Sequence, residues 1–78
     1  PQGPFRRGDS LFRANDRMYA IYAVRAGSLR TYYLAEDGRE KVLGFYLPGE
    51  VLGFDGFSNG RHRCTADALE TASVCELP

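Results

Sequence analysis

The side chains best suited to metal or redox chemistry in this sequence are two cysteines and one histidine, Cys64, Cys75 and His62. Four thiolates are the usual ligand set of an iron–sulfur cluster, and no Cys-x-x-Cys pair is present. The chain by itself therefore cannot supply all the ligands of a [4Fe–4S] cluster. Two cysteines are also too few for the disulfide framework of a small secreted protein, so we expect free thiols.

His62 is the natural starting point for any metal enzyme in this chain. A cupin-type centre on a β-roll needs two or three histidines and a carboxylate around an open coordination position. His62 is the only histidine and lies between Arg61 and Arg63, whose positive charges disfavour a metal ion. We therefore expect a solvated loop histidine. No Ser-His-Asp set stands out either, so the sequence predicts no enzymatic activity.

The segment LPGEVLGFDGFSNGRHRC, residues 47–64, is rich in glycine and ends in two arginines, the histidine and a cysteine. Backbone N–H groups of such loops can cradle a phosphate. Glycine also permits the positive φ angles that tight turns need. We favour turns at Gly49, Gly53, Gly56 and Gly60, and we expect Phe54 and Phe57 to plug the interior of the fold.

Length and charge limit the classes of function. The chain has 78 residues, which suits one domain, and ten basic residues balance ten acidic ones. With no basic excess, this stretch is a poor nucleic-acid surface. It has no apolar run of about 18 residues that would span a membrane, and no signal peptide is visible. Since it begins PQGPF and ends CELP, we interpret residues 1–78 as one domain of a larger protein.

Turn signals recur every eight to twelve residues and separate short runs rich in β-branched and aromatic residues. This spacing is typical of an all-β sandwich or barrel. Asp37-Gly38 between two such runs predicts a hairpin. The predicted strands are Ser10–Arg13, Tyr19–Arg25, Ser28–Leu34, Glu40–Tyr46, Val51–Leu52, Cys64–Leu69 and Ala72–Leu77.

Two of these strands carry more specific expectations. Residues 19–24 are almost wholly apolar, which predicts a strand covered on both faces. Cys64 and Cys75 should lie on adjacent strands of one hairpin. A turn near Thr71 would then place Cys75 opposite residue 67 and not opposite Cys64, which argues against a disulfide.

Three segments carry a resemblance to a known family. They are YAVRAGS at residues 22–28, GFYLPGE at 44–50, and ALET followed by VCE at 68–76. From Phe5 to Pro78 the chain resembles the sensor domain of the CRP/FNR superfamily of bacterial transcription regulators. Within it, the chain looks most like the oxygen-responsive FNR branch.

The resemblance implies a double-stranded β-helix, or jelly roll, and parts that this chain lacks. They are a cysteine-bearing segment before Pro1, a dimerisation helix after Pro78 and a C-terminal helix-turn-helix domain. The implied protein is a cytoplasmic homodimer that binds DNA through that last domain.

The resemblance to FNR gives Cys75 a role, because that branch places its fourth cluster ligand in a Val-Cys-Glu context within the sensor domain. Val74, Cys75 and Glu76 match that context. The other three ligands would come from the segment before Pro1, and Cys64 matches no ligand. The implied function is redox sensing through a [4Fe–4S] cluster, transmitted to DNA binding.

Cyclic-nucleotide receptors of the same superfamily provide the first alternative. Their loop carries a Gly-Glu pair that holds the ribose and an Arg-Ser pair at the cyclic phosphate. Gly53 and Phe54 stand at the first pair, and Arg63 and Cys64 at the second. Burying an unpaired ribose hydroxyl against Phe54 would cost about 1–3 kcal/mol. Asp55 should point to the opposite face of a strand and replace the glutamate poorly.

A charged hairpin tip, LAEDGRE at residues 34–40, is the last candidate surface. It reads equally as a solvated turn. In FNR-like regulators this turn resembles the loop that contacts RNA polymerase, which nominates Glu36, Asp37, Gly38, Arg39 and Glu40. Arg39 stands where the family often has an acid. A purely structural domain for dimer formation and polymerase contact remains a further alternative.

Overall fold

Eight β-strands form two four-stranded antiparallel sheets in the computed structural model, which describes residues 2–77. Pro1 and Pro78, the ends of the predicted domain, lie outside the described residues. One sheet has the order β1-β8-β3-β6 and the other the order β2-β7-β4-β5. This arrangement confirms the predicted all-β jelly roll. The strands are β1 Gln2–Phe5, β2 Ser10–Phe12, β3 Ile21–Ala26, β4 Leu29–Leu34, β5 Glu40–Tyr46, β6 Val51–Leu52, β7 Thr65–Ala68 and β8 Ala72–Leu77.

The core lies between the two sheets and is built from alternate residues of each strand. Leu29 of β4 and Val74 of β8 are fully buried, and Val24 pairs with Val74 across β3 and β8. Alanines at positions 66 and 68 fill the facing side of β7. Alternation of this kind follows from the period of two in an extended strand. Burying a side chain such as Leu29 contributes about 1.5–3 kcal/mol to stability.

The hairpin predicted at Asp37-Gly38 joins β4 to β5. The carbonyl of Ala35 accepts the Gly38 N–H at 2.9 Å, and the Ala35 N–H donates to the Arg39 carbonyl at 2.9 Å. Gly38 has a φ of 83°. A tight turn followed by a left-handed glycine is a common way to close a short hairpin loop. The prediction is therefore confirmed.

The prediction of a doubly covered strand at residues 19–24 was wrong. Strand β3 begins at Ile21, and its residues alternate between buried Tyr22 and Val24 and half-buried neighbours. Tyr19 precedes the strand and is 74% exposed. One face of this sheet packs against the core and the other face is open, so the apolar run signalled strand character and not double coverage.

Other strand boundaries agree closely with the sequence. Strands β5, β6 and β8 have the predicted limits, and β2, β4 and β7 are shorter than predicted by one or two residues. Strand β1 was not predicted, because Gly3 and Pro4 interrupt any strand pattern there. A proline is tolerated in this position because β1 lies at the edge of its sheet.

The predicted hairpin containing the two cysteines does not form. Strand β7 belongs to one sheet and β8 to the other, so the chain crosses between sheets at residues 69–71. Gly27 lies against this corner, where a Cβ would overlap the Thr71 carbonyl oxygen and approach the Ala72 Cα within 2.7 Å. The Ser28 carbonyl accepts the Leu69 N–H at 2.9 Å. Both cysteines are free, as expected, although not for the predicted reason of register.

Candidate functional site

Cys75 lies near the middle of β8 on the open face of its sheet. Its neighbour Val74 is fully buried in the core, while Cys75 itself is half-buried. The residue paired with it on β3 is Ala23, which has a small side chain and is also half-buried. Since paired residues share a face of the sheet, the Cys75 thiol sits beside this alanine and points away from the core. It is accessible to a segment packed on the outside.

Cys64 occupies a different environment, just before β7. It is 4% exposed, and its thiol donates a weak hydrogen bond to Asp55 Oδ2 at 3.4 Å. Burial, together with the negative charge of Asp55, raises the pKa of the Cys64 thiol to about 12. Because metals and electrophiles react with the thiolate, Cys64 is an inert buried thiol at neutral pH.

Within residues 2–77, no group of three or more histidine, cysteine, aspartate or glutamate side chains is arranged to hold a metal ion. The same part of the chain contains no helix with the length and apolar character to span a bilayer.

The prediction of a solvated His62 was wrong. His62 is 2% exposed, and its ring stacks on Phe12 with centroids 3.7 Å apart and planes at 10°. Its Nδ1 lies 3.0 Å from Asp55 Oδ1, and its backbone N–H donates to the Asp16 carbonyl at 2.8 Å. The contacts with Phe12 and Asp16, which are distant in sequence, bury His62 in the loop before β7. These contacts give the histidine a structural role in the loop.

Asp55 is the residue that organises this loop, contrary to the expected strand geometry. Residues 54–56 form a short 3-10 helix that follows Gly53, whose φ is 105°. Asp55 Oδ2 accepts the backbone N–H groups of Arg63 at 2.6 Å and Cys64 at 3.1 Å. Burial alone would raise the pKa of Asp55, but the hydrogen bonds from His62, Arg63 and Cys64 together lower it. The carboxylate is therefore ionised at neutral pH.

Three of the four residues nominated for nucleotide binding line one cavity, and the fourth does not. Gly53, Phe54 and Cys64 line a cavity of about 160 Å³, which Asp55 also lines. The Arg63 side chain lies elsewhere: its Nη2 donates to Ser58 Oγ at 2.9 Å, and it borders a second cavity of about 580 Å³ with Tyr32 and other residues. The first cavity therefore lacks both the ribose acceptor and the guanidinium of a cyclic-nucleotide site.

Two further expectations for this loop need correction. Phe54 and Phe57 do not fill the interior of the fold, since they are 50% and 68% exposed. Their rings contact each other edge to face, with centroids 5.4 Å apart. They stay outside because Phe12, Tyr22 and Leu52 already fill the space between the sheets. Gly56 has no positive φ, unlike Gly49, Gly53 and Gly60. It is needed because a Cβ there would come within 2.9 Å of the Met18 side chain.

At the hairpin tip, the charges are paired locally. Asp37 Oδ1 accepts the Arg39 N–H at 3.0 Å, and Arg39 Nε lies 3.7 Å from Asp37 Oδ2. Glu40 forms a 3.0 Å ion pair with Arg30, which also packs over the ring of Tyr32. All five residues from Glu36 to Glu40 are exposed. The tip is thus an ordered, acid-rich protrusion.

The role of Asp55 and the burial of His62 were not predicted from the sequence. An aspartate beside a glycine in a loop is a signal for side-chain bonding to the backbone. The signal identifies a possible acceptor and does not show which distant amides it will meet.

Residues 2–78 match the family described as "Cyclic nucleotide-binding domain". The Fumarate and nitrate reduction regulatory protein of Yersinia pestis is 44% identical over 75 residues, which are 96% of this chain and 30% of that protein. The protein of the same name from Escherichia coli K12 is 43% identical, with the same coverage. This chain thus spans about a third of the length of these relatives.

Solved structures give the same picture. A CRP-family transcriptional regulator from Thermus thermophilus superposes with a TM-score of 0.87 at 29% identity, over 94% of this chain and 37% of that one. FixK2 from Bradyrhizobium japonicum gives a TM-score of 0.81 at 31% identity, over 92% and 36%. The curated relatives and the Thermus protein are named as regulators, which confirms the prediction of a non-enzymatic domain. The chain therefore belongs to the cyclic nucleotide-binding domain family, among the CRP/FNR transcription regulators.

Proposed function

We propose that this domain is the sensor of an FNR-like regulator that responds to oxygen or redox state, and that Cys75 is its one ligand to a [4Fe–4S] cluster. The position of Cys75 carries the proposal. Its thiol is free, half-buried and directed to the open face of a sheet. The names of the two curated relatives described above, which refer to the regulation of fumarate and nitrate reduction, support a regulator of this kind.

Among residues 2–77, this chain offers one side chain, and only one, that is suited to bind an iron–sulfur cluster. Cys75 is reachable, whereas Cys64 is buried, protonated and hydrogen-bonded to Asp55. His62 is stacked and bonded inside the loop. The remaining ligands must therefore come from outside this chain, as expected of a cysteine-bearing segment that precedes Pro1. Such a cluster, when bound, supplies an oxygen-sensitive link between that segment and the β-roll.

The β-roll contributes rigidity to this link. Cys75 lies in the central part of its sheet, between β1 and β3. The neighbouring Val74 anchors the strand in the core. A segment attached through Cys75 is therefore held against a rigid sheet surface. Losing that attachment frees the segment and shifts the equilibrium between two states of the regulator, because only one state keeps the contact.

The other partners follow from the same proposal. A helix-turn-helix domain beyond this chain would bind DNA, and the regulator would act as a cytoplasmic homodimer. The hairpin tip from Glu36 to Glu40 would contact RNA polymerase. Two of its residues are paired, Asp37 with Arg39 and Glu40 with Arg30, and all five are exposed. Exposed charges of this kind tune the rate of encounter more than the affinity.

The test uses the full-length protein purified without oxygen, with iron and sulfide content and visible absorption measured before and after exposure to air. We expect about four irons per chain and absorption that bleaches in air. Cys75→Ser should lose the iron and the absorption, and Cys64→Ser is the matched control that should keep both. A colourless, iron-free wild type, or a Cys75→Ser variant with full iron content, would refute the proposal.

A further inference from the structure

Two successive backbone amides converge on one oxygen atom in the loop before β7. The N–H groups of Arg63 and Cys64 donate to Asp55 Oδ2 at 2.6 and 3.1 Å. Consecutive amides that point to one place form a concave anion-binding site, the arrangement that proteins use for phosphate and similar groups. In this chain the anion in that position is a side chain of the same loop.

The surroundings of the carboxylate are also complete. Asp55 Oδ1 lies 3.0 Å from His62 Nδ1, and the Cys64 thiol donates to Oδ2 at 3.4 Å. His62 is itself fixed by stacking on Phe12. The carboxylate therefore receives four donors from three consecutive residues, and its side chain is only 21% exposed. The contacts match a negative group in charge and in direction.

Asp55 also borders the cavity of about 160 Å³ that is lined by Gly53, Phe54 and Cys64. A phosphate entering this cavity would seek the amides of Arg63 and Cys64 and would meet an ionised carboxylate instead. The negative charges of the phosphate and of Asp55 would repel each other strongly in this partly buried site, because water screens them less there than in bulk solvent. Because Asp55 is tethered a few residues away, its effective concentration at the amides is in the millimolar range or above.

We infer that Asp55 is the built-in occupant of an anion site formed by the Arg63 and Cys64 amides, and that it excludes phosphate-bearing ligands from this cavity. The inference goes beyond the proposed function and involves neither iron nor Cys75. A simple turn-stabilising aspartate differs in one respect: its removal leaves a disrupted loop with no affinity for free anions.

The first test removes the occupant. Full-length Asp55→Ala is heated in increasing inorganic phosphate and in sodium chloride of equal ionic strength. The midpoint of unfolding should rise in phosphate by roughly 3 °C or more for each tenfold increase above the dissociation constant. Wild type should show only the general stabilisation that phosphate, as an excluded anion, gives to folded proteins, and the rise in Asp55→Ala should exceed it. Asp67→Ala, which removes another half-buried aspartate that binds Ser10 and Arg30, is the matched control and should behave like wild type in this respect.

The results that overturn the inference are equally specific. An Asp55→Ala protein with no phosphate-specific rise, or a wild type and Asp67→Ala with the same rise, would each contradict it. If Asp55→Ala folds only when phosphate or acetate is added, the inference is supported, since the added anion replaces the missing carboxylate.

A second variant covers the case in which Asp55→Ala does not fold under any condition. Asp55→Asn keeps an oxygen acceptor of the same shape but loses the charge. Hydrogen exchange at the Arg63 and Cys64 amides should become about tenfold faster than in wild type, because charged acceptors bind more strongly. The Ala68 amide, which donates to the Asp9 carbonyl, is the internal reference and should not change. Equal exchange in the two proteins, or slower wild-type exchange at these two amides on adding phosphate, would overturn the inference.

Discussion

The Nδ1 atom of His62 lies 3.0 Å from Oδ1 of Asp55, and the other oxygen of that carboxylate accepts the two backbone N–H groups that follow His62. One aspartate thus fixes the start of β7 to the 3-10 helix at residues 54–56. The imidazole ring continues the connection to Phe12 on β2. The loop that the sequence nominated for nucleotide binding is thereby an internally bonded corner of the jelly roll.

The first prediction concerns acid stability. The pKa of Asp55 is lower in the folded protein than its ordinary value, so its contribution is present above the unfolded pKa of about 3.9 and is lost as pH falls through the folded pKa. Asp55→Asn should therefore be less stable than wild type at pH 7, by about 1–3 kcal/mol. The difference should shrink as the pH falls below about 4. Urea denaturation at several pH values measures it, and a difference that is independent of pH would contradict the assignment.

The limits of the strands were predicted from the sequence better than the contacts of the loops. Strand β5 and strand β8 have the predicted limits because alternation and turn residues act within a few positions of each other. The sheet change between β7 and β8 was missed, since either sheet could bury Ala68 and Ala72. A turn signal indicates that the chain bends but does not show which strand it will join.

The site shows the same limit more sharply. The ring of His62 is buried because Phe12 lies beneath it, and its loop is bonded to residues 15 and 16. These contacts join segments more than forty positions apart, and no local pattern contains them. Arg63 and Cys64 are adjacent in sequence, yet they line different cavities. They lie in a bend before β7, so the alternation of an extended strand does not predict where they point.

The second prediction concerns the corner at Gly27, which has a φ of 75° and no room for a Cβ beside Thr71 and Ala72. Gly27→Ala should lower the free energy of unfolding by more than about 3 kcal/mol, because backbone atoms must move. Gly38 has a φ of 83° with nothing within 4 Å, so it is the matched control. Gly38→Ala should cost only the strain of the left-handed conformation, about 1–2 kcal/mol. Equal losses in chemical denaturation would show that Gly27 is not sterically constrained.

The third prediction concerns cyclic nucleotides. Phe54 replaces the glutamate that would hold the ribose at this cavity, and Asp55 already accepts the amides of Arg63 and Cys64. Calorimetric titration with cyclic AMP should therefore give no saturable heat at micromolar protein. Arg63→Ala should give the same flat result, since the guanidinium is bonded to Ser58 at another cavity. Tight binding that Arg63→Ala abolishes would restore the nucleotide receptor as the function of this domain.

The fourth prediction separates the two thiols by their reactivity. Cys64 is 4% exposed with a pKa raised to about 12, so at pH 8 only a very small fraction is thiolate. Cys75 is half-buried on an open sheet face. In the iron-free folded protein, iodoacetamide should therefore modify Cys75 at least about a hundredfold faster than Cys64. Mass spectrometry of the two cysteine-containing peptides measures both rates, and denaturant should abolish the difference.

Asp55→Asn supplies the control for the local charge: removing that carboxylate should accelerate the modification of Cys64 and leave Cys75 unchanged. Equal rates for the two thiols in the folded protein would contradict the environments on which the assignment of Cys75 rests.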